Sequence, residues 1–399
     1  MAAKKIKEGV YWVGAIDWDR VLFDELVTLP EGTSYNAYLV IGSEKTALID
    51  TVEPYKKEEL FKNLKELGIE RIDYVISNHA EQDHSGAIPD VLERFPGAKV
   101  VTNKKCKGML IDLLELPEEK IEVIEEGQEL SLGNKTLQFF MAPWVHWPET
   151  MFTWLKEDRV LFTCDFLGSH IATSELFDTT DENRAKVYLE TKRYYAEIMM
   201  PFRNFIKKHL QLIDELKPEI IAPSHGVVIK DVEFMTGAYK RWVSDEVKPM
   251  VVIPFVSMHE STRHMVDFLT SELAKEGIIV RPYNLIKADI GNVAMDLVDA
   301  AAVVIASPTV LAGAHPAVIS FAYLMNGLRP KTRLLSVIGS YGWNGKVMVK
   351  HVQDTLKNVR AQWLEPVLVK GLPKEADYER LRGFARELSA KVKEVSTLT

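Results

Sequence analysis

The first half of the chain reads as short apolar strands set apart by turns and helices. Residues 35–41 and 46–50 are strand-like and flank Gly42-Ser43-Glu44-Lys45, a turn signal, so they predict a hairpin. Within 55–67, Leu60, Phe61, Leu64 and Leu67 fall at helical spacing, and Gly68 supplies the stop. Residues 72–77 form an apolar run of the buried-strand type, and Ser85 stands where it would cap another helix. Further strands are predicted at 99–102, 136–140, 160–164 and 220–222. Between the last two lies a long helical stretch, 183–216, with Pro201 as its break.

The pattern changes at 242–249, a polar stretch that predicts a linker. Beyond it, apolar strands at 251–256, 301–306 and 334–338 each run into a loop and then a helix. Such alternation predicts a doubly wound parallel sheet whose ligands sit at the carboxyl ends of its strands. A length of 399 residues exceeds what one core usually organises, so two domains are expected, 1–248 and 249–399.

Composition narrows the partners. The chain is 47% apolar and 27% charged, as in ordinary globular proteins, and its net charge of -8 argues against nucleic acid or an anionic membrane. Cys106 and Cys164 have no C-x-x-C spacing, so neither a zinc knuckle nor a rubredoxin-type iron site is encoded, and a reduced, cytoplasmic chain is expected. Lys4 and Lys5 are not followed by the apolar core of a signal peptide, and no apolar run reaches the length of a membrane span.

The chemistry concentrates in His79-Ala80-Glu81-Gln82-Asp83-His84, directly after the 72–77 strand. In an extended segment, residues two apart point the same way, so His79, Glu81 and Asp83 would converge on one pocket. His84 would face elsewhere unless the chain has begun to turn. Three more candidates come after strands: His146 in Trp144-Val145-His146-Trp147-Pro148, Asp165, and His225 in Ser224-His225-Gly226. Taken singly, each would pass as an ordinary structural residue.

Together they resemble the metallo-β-lactamase superfamily, with one departure: Glu81 stands where the usual H-x-H-x-D-H cluster has its second His. Three carboxylates with imidazoles suit iron at least as well as zinc. With Glu81 in that place and a flavodoxin-like half after it, the chain resembles the flavodiiron proteins over nearly its whole length. The resemblance implies an N-terminal metallo-β-lactamase-like αββα sandwich, a C-terminal flavodoxin-like sheet, FMN and two non-haem iron ions. By it, His79, Glu81 and His146 would hold one iron, Asp83 and His225 the other, and Asp165 would bridge them. His84 is left open between a ligand and a hydrogen-bonding neighbour of the ligands. Tyr195 and Trp147 are candidates for lining a small gas pocket against simple core packing, and His170 for supporting a ligand. His209, His264 and His351, in helical and charged surroundings, read as surface residues.

For the flavin phosphate the expected cradle is Ser257, Met258, His259, Ser261 and Thr262, at a helix N-terminus after the first strand of the second domain. Glu260 is an unfavourable neighbour for a phosphate unless it points outward. The ring would lie on two further loops, one with Ser307, Pro308 and Thr309, the other with Ser340, Tyr341, Gly342 and Trp343. No G-x-G-x-x-G fingerprint is present.

The activity that the resemblance implies is reduction of dioxygen to water, of nitric oxide to nitrous oxide, or of both. A separate rubredoxin or a reduced deazaflavin coenzyme would donate the electrons. A head-to-tail homodimer, or a dimer of such dimers, would bring one subunit's FMN to the other's irons. The competing readings are a zinc hydrolase with an accessory flavodoxin-like domain, and an electron-transfer flavoprotein without metal.

Overall fold

The computed structural model describes residues 2–396 and divides into two compact units, one of residues 1–195 with 202–243, the other of 196–201 with 244–399. The linker is thus shorter than predicted. Trp242 and Val243 are buried at the end of the helix Val232–Val243, and the polar connection is only 244–247.

The first unit holds two large sheets face to face, besides two small two-stranded ones. One has seven strands, in the order Lys4–Lys7, Val10–Trp12, Tyr38–Ile41, Thr46–Ile49, Tyr74–Ile76, Lys99–Asn103 and Ile121–Ile124. The other has five, Glu129–Ser131, Thr136–Met141, Met151–Leu155, Val160–Cys164 and Ile220–Pro223. Strand side chains alternate between faces, and the core obeys that period. Tyr38, Val40, Ala47, Ile49 and Ile76 face Phe139, Met151 and Phe162 of the second sheet. Leu39, Leu48 and Val75 face the other way, onto Leu60 and Leu64 of the helix Lys57–Glu66 and Leu110 of the helix Lys104–Leu114. Helices cover the outer face of the second sheet too: His209 of the helix Arg203–Leu216 packs edge-on against Phe152 at 5.7 Å. This is the αββα sandwich expected.

The predicted hairpin forms between Tyr38–Ile41 and Thr46–Ile49, closed by the Gly42 N–H donating to the Lys45 carbonyl at 3.0 Å. Two local predictions fail. The long helix breaks earlier than Pro201, at a π-helical turn, Tyr195–Met199, that comes after the helix Asp181–Tyr194. Ser85 caps nothing; it ends the one-turn helix Gln82–Ser85, and its hydroxyl donates back to the Ala80 carbonyl at 2.7 Å.

In the second unit a parallel sheet runs Ile279–Asn284, Lys248–Phe255, Ala300–Val310, Leu334–Tyr341, then Gln362–Trp363 and Val367–Lys370 on the far side of the fourth strand. In chain order this is 2-1-3-4-5, the flavodoxin-like winding. Alternate residues again feed opposite cores, Val251, Ile253 and Phe255 on one face, Met250 and Val252 on the other.

Candidate metal centre and flavin site

All seven proposed metal ligands lie at one end of the sandwich, just beyond the carboxyl ends of Thr136–Met141, Tyr74–Ile76, Val160–Cys164 and Ile220–Pro223. The His79–His84 motif does not stay extended as its spacing predicts. Glu81 has extended backbone (φ -59, ψ 139), and the chain then turns helical at Gln82. The motif is thereby split: His79 and Glu81 face one group of ligands, Asp83 and His84 another.

In the first group, His79 Nε2 lies 3.1 Å from Glu81 Oε2 and 3.5 Å from Asp165 Oδ2, and His146 Nε2 lies 3.2 and 3.7 Å from the same two oxygens. In the second, His84 Nε2 is 3.3 Å from Asp83 Oδ1 and 2.9 Å from Asp165 Oδ1, and His225 Nε2 is 3.2 Å from Asp83 Oδ2 and 3.4 Å from Asp165 Oδ1. Asp165 thus turns one oxygen to each group. Ligand atoms each about 2.1 Å from one cation sit roughly 3–3.5 Å apart, the spacing found here. His84 Nδ1 is buried with no hydrogen-bond partner among the described residues, and both Asp83 oxygens, Asp165 Oδ1, His84 Nε2 and His225 Nε2 are buried with only close, poorly aligned contacts to one another. Orphaned buried polar atoms of this kind are rare unless something binds them. These residues fit two metal ions, and His84 points its Nε2 into the second group with the rest.

Electrostatics agree. Burial opposes charge on Asp165, yet His84, His225 and His79 hold its carboxyl well below the usual carboxylate range. Burial likewise opposes a proton on His225, but Asp165 and Asp83 push its imidazole up to about 10. A cluster that binds protons this firmly is poised for cations.

Neighbours hold the ligands in place. Nδ1 of His79 meets Glu149 Oε1 at 2.6 Å, and Nδ1 of His225 donates to the Ser34 carbonyl at 2.7 Å. Asp50 accepts the Asn78 backbone N–H at 2.8 Å and its side-chain amide at 2.9 Å, and burial pushes its carboxyl up to about 6. Glu149 carries no pattern in the sequence. Asp50 did offer one, since like Asp165 it ends an apolar strand.

The aromatic candidates separate. Trp147 lies edge-on to His79, with ring centroids 5.0 Å apart. Tyr195 is turned away into the packing, its hydroxyl donating to the Trp242 carbonyl at 3.3 Å and its ring against Tyr239 and Trp242. Its neighbour Tyr194 faces the centre instead, 4.8 Å from the His170 ring and 5.9 Å from the His225 ring, and sequence reasoning missed it. One residue along a helix rotates the side chain by about 100°, so helical spacing alone could not choose between two adjacent tyrosines. His170 is buried beside His225 with centroids 4.8 Å apart, and its Nδ1 lies 2.9 Å from the Thr33 hydroxyl. His209 is not on the surface; it is buried, with Nε2 bonded to the Pro143 carbonyl at 3.1 Å. His264 and His351 are exposed.

In the second unit, the first and third strands lie side by side, and the connections after them leave in opposite directions in strand order. That reversal is where such sheets bind flavin. Ser257 Oγ accepts the Arg263 N–H at 3.2 Å over the start of the helix Ser261–Lys275, and Thr262 Oγ1 lies 3.0 Å from Ser340 Oγ, so the first and last loops meet. Met258, His259 and Glu260 are exposed at the same edge. The second loop is shorter than predicted. Ser307, Pro308 and Thr309 still belong to the strand Ala300–Val310, and the turn itself is Leu311-Ala312, both at positive φ. Ser340 and Tyr341 likewise end a strand, Leu334–Tyr341, leaving Gly342 and the exposed Trp343 in the loop. Gly339 is required here, because a Cβ would stand 2.2 Å from the Ser307 carbonyl oxygen. Ser307 is tied internally, accepting the His315 N–H at 3.0 Å, whereas the Thr309 hydroxyl is buried with no partner among the described residues. An unpartnered hydroxyl at the switch point fits a polar cofactor.

Residues 33–226 match the model of the ODP family beta lactamases. A nitric oxide reductase of Moorella thermoacetica is 37% identical, covering 97% of this chain and 98% of its own. A coenzyme F420H(2) oxidase of Methanothermobacter marburgensis is 36% identical over 86% of this chain and 87% of its own. The solved rubredoxin oxygen:oxidoreductase of Desulfovibrio gigas superposes with a TM-score of 0.93 at 32% identity, covering 98% and 99% of the two chains. The chain is a flavodiiron protein. As in that family, a metallo-β-lactamase-like unit precedes a flavodoxin-like one, and Glu81 occupies the position that departs from the hydrolase cluster. Among the described residues of this flavodiiron protein, no helix is long and apolar enough to cross a membrane.

Proposed function

We propose that this flavodiiron protein is a cytoplasmic oxidoreductase that reduces dioxygen to water, nitric oxide to nitrous oxide, or both. The observation that carries the reading is the pair of ligand groups joined by the two oxygens of Asp165, with Glu81 rather than a histidine in the first group. His79, Glu81, His146 and Asp165 would hold one iron, and Asp83, His84, His225 and Asp165 the other. When bound, two ferrous ions supply two electrons and the Lewis acidity that stabilises charge developing on oxygen. FMN, which residues 257–262, 307–309 and 340–343 would hold, would supply two more, so the loaded pair would match the four electrons that dioxygen needs.

The protein's own groups set the surroundings of the reaction. Trp147 walls the first group beside His146, and Tyr194 with Phe23 and His170 closes the His225 side with apolar or uncharged rings. Burial, with His225 beside it, holds the imidazole of His170 well below its usual range, so it stays neutral there. A small uncharged gas is suited to such walls, whereas a charged ester or lactam would lose its hydration on entering.

A separate rubredoxin serves as donor in this reading, which takes support from the name of the Desulfovibrio gigas rubredoxin oxygen:oxidoreductase. The reduced deazaflavin alternative takes support from the name of the Methanothermobacter relative. The test is direct: purified protein should carry about two irons and one flavin per chain and consume gas when fed by reduced rubredoxin. Zinc in place of iron, with hydrolysis of an ester or lactam, would sink the reading. The catalytic unit in this reading is a head-to-tail homodimer. Turnover per chain should fall as the protein is diluted to monomer, and a monomer with full activity would contradict it.

A further inference from the structure

The two ligand groups match in composition, but their supports differ. Facing the metals, the carboxylates balance, with Glu81 on one side, Asp83 on the other and Asp165 shared. Behind them they do not. His79 has a carboxylate at its back, Glu149, whose side chain is wholly buried. Glu149 Oε1, 2.6 Å from His79 Nδ1, also accepts the Ala80 N–H at 3.1 Å. An oxygen that receives a backbone N–H is acting as an acceptor, so the imidazole proton lies on Nδ1 and Nε2 is left for metal. The backbone of Glu149 is itself fixed, its carbonyl accepting the Asn103 amide at 2.6 Å.

Across the centre, His225 donates from Nδ1 to the Ser34 carbonyl, which has no formal charge. His84 Nδ1 has no hydrogen-bond partner among the described residues. One group therefore has a carboxylate hydrogen-bonded directly to the back of a ligand imidazole, whereas in the other the hydrogen-bonded partner is a peptide carbonyl and the nearest carboxylate outside the ligand set, Asp50, is spent on Asn78.

We propose that Glu149 is a positioning residue that makes the two metal positions electronically unequal. It lends His79 imidazolate character, which raises the basicity of the ligand nitrogen and stabilises the higher oxidation state of the iron it holds. The iron held by His79, Glu81 and His146 then has the lower reduction potential. With iron bound, the position formed by Asp83, His84 and His225 would be the easier of the two to reduce, so the pair would fill in a set order. This inference rests on the di-iron reading above.

The test is Glu149→Gln, made in the full chain loaded with 57Fe. The amide oxygen of Gln can still accept from His79 Nδ1 and the Ala80 N–H, so shape and hydrogen bonds are kept while the charge goes. Stepwise reduction monitored by Mössbauer spectroscopy should show two iron signals titrating separately in the wild type. In Glu149→Gln one midpoint should rise and one signal change while the other stays, with iron held at one position roughly tenfold more weakly. Glu149→Asp, which keeps the charge, should restore much of the separation. Two irons that titrate together in the wild type overturn the proposal, as does a variant in which both signals shift equally or neither moves. A wild-type protein that binds zinc and no iron overturns the reading beneath it, and metal content reveals that before any titration begins.

Discussion

Asp165→Asn should purify folded and flavin-loaded, with fewer than two irons per chain and gas reduction lowered by more than about 100-fold. The size reflects what the residue does. One oxygen faces His84 and His225 at 2.9 and 3.4 Å, and the other faces His79 and His146 at 3.5 and 3.7 Å. An amide keeps one acceptor and turns an NH₂ group toward imidazoles that have no lone pair to spare once metals are bound. It also removes the one negative charge common to both positions. Packing should survive, since the Asp165 carbonyl, which accepts the Gly168 N–H at 3.0 Å, is untouched. Iron analysis with oxygen and nitric oxide consumption checks this. A variant with two irons and full turnover would falsify the shared role of Asp165.

Chelation should lower the melting temperature of the first unit by about 5 °C or more, because an ion bound only by the folded state stabilises it by mass action. The stripped protein should also acquire a pH dependence that the loaded one lacks. Burial works against protons on His79, His84 and His225, but the carboxylates around them raise all three, His225 to about 10. Raised imidazoles contribute stability that is complete below their unfolded value of 6.5 and is lost as pH climbs through the folded values. Glu81 and Asp165 have the opposite sign. Burial raises them and the imidazoles outweigh it, so both lie below their ordinary values, and their contribution is present above about pH 4.5 and lost on acidification. The metal-free protein should therefore be most stable between roughly pH 5 and 6.5 and weaken toward pH 10. Metal affinity should rise over the same alkaline range, since binding displaces those protons. Thermal melts of loaded and stripped protein across pH decide it, and identical profiles for the two would count against the assignment.

The sequence was most legible where a chemical requirement and a chain position coincide. Each proposed ligand comes just after an apolar strand, and strands that end at one edge bring the residues beyond their ends to one place. The mixed His/Glu/Asp composition was legible in the same way, because ligand type speaks to the metal without reference to geometry. Apolar strands alternating with helices marked out the parallel sheet of the second unit, whereas the two-sheet sandwich of the first was implied only by the family resemblance. Local propensity misled where a neighbour in space decides. Ser85 resembles a cap but is spent on the Ala80 carbonyl, and Ser307 to Thr309 resemble a loop but belong to a strand that pairs with Gly339 and Ser340 in the sheet. His209 has charged neighbours in sequence, yet the helix turns it onto Phe152.

The sequence by itself determined the donor set, the order of the two units, and the strand ends at which the chemistry sits. These depend on residue type and period, which are local. Tertiary structure alone decided how the four candidate ligands between His79 and His84 divide between the two groups, because the division depends on a helical turn beginning at Gln82. It also decided that His84 faces Asp165, that Tyr194 rather than Tyr195 lines the centre, and that Glu149 stands behind His79. Each of these is a direction or a distance between residues far apart in the chain, set by packing around the strands and not by any pattern along them.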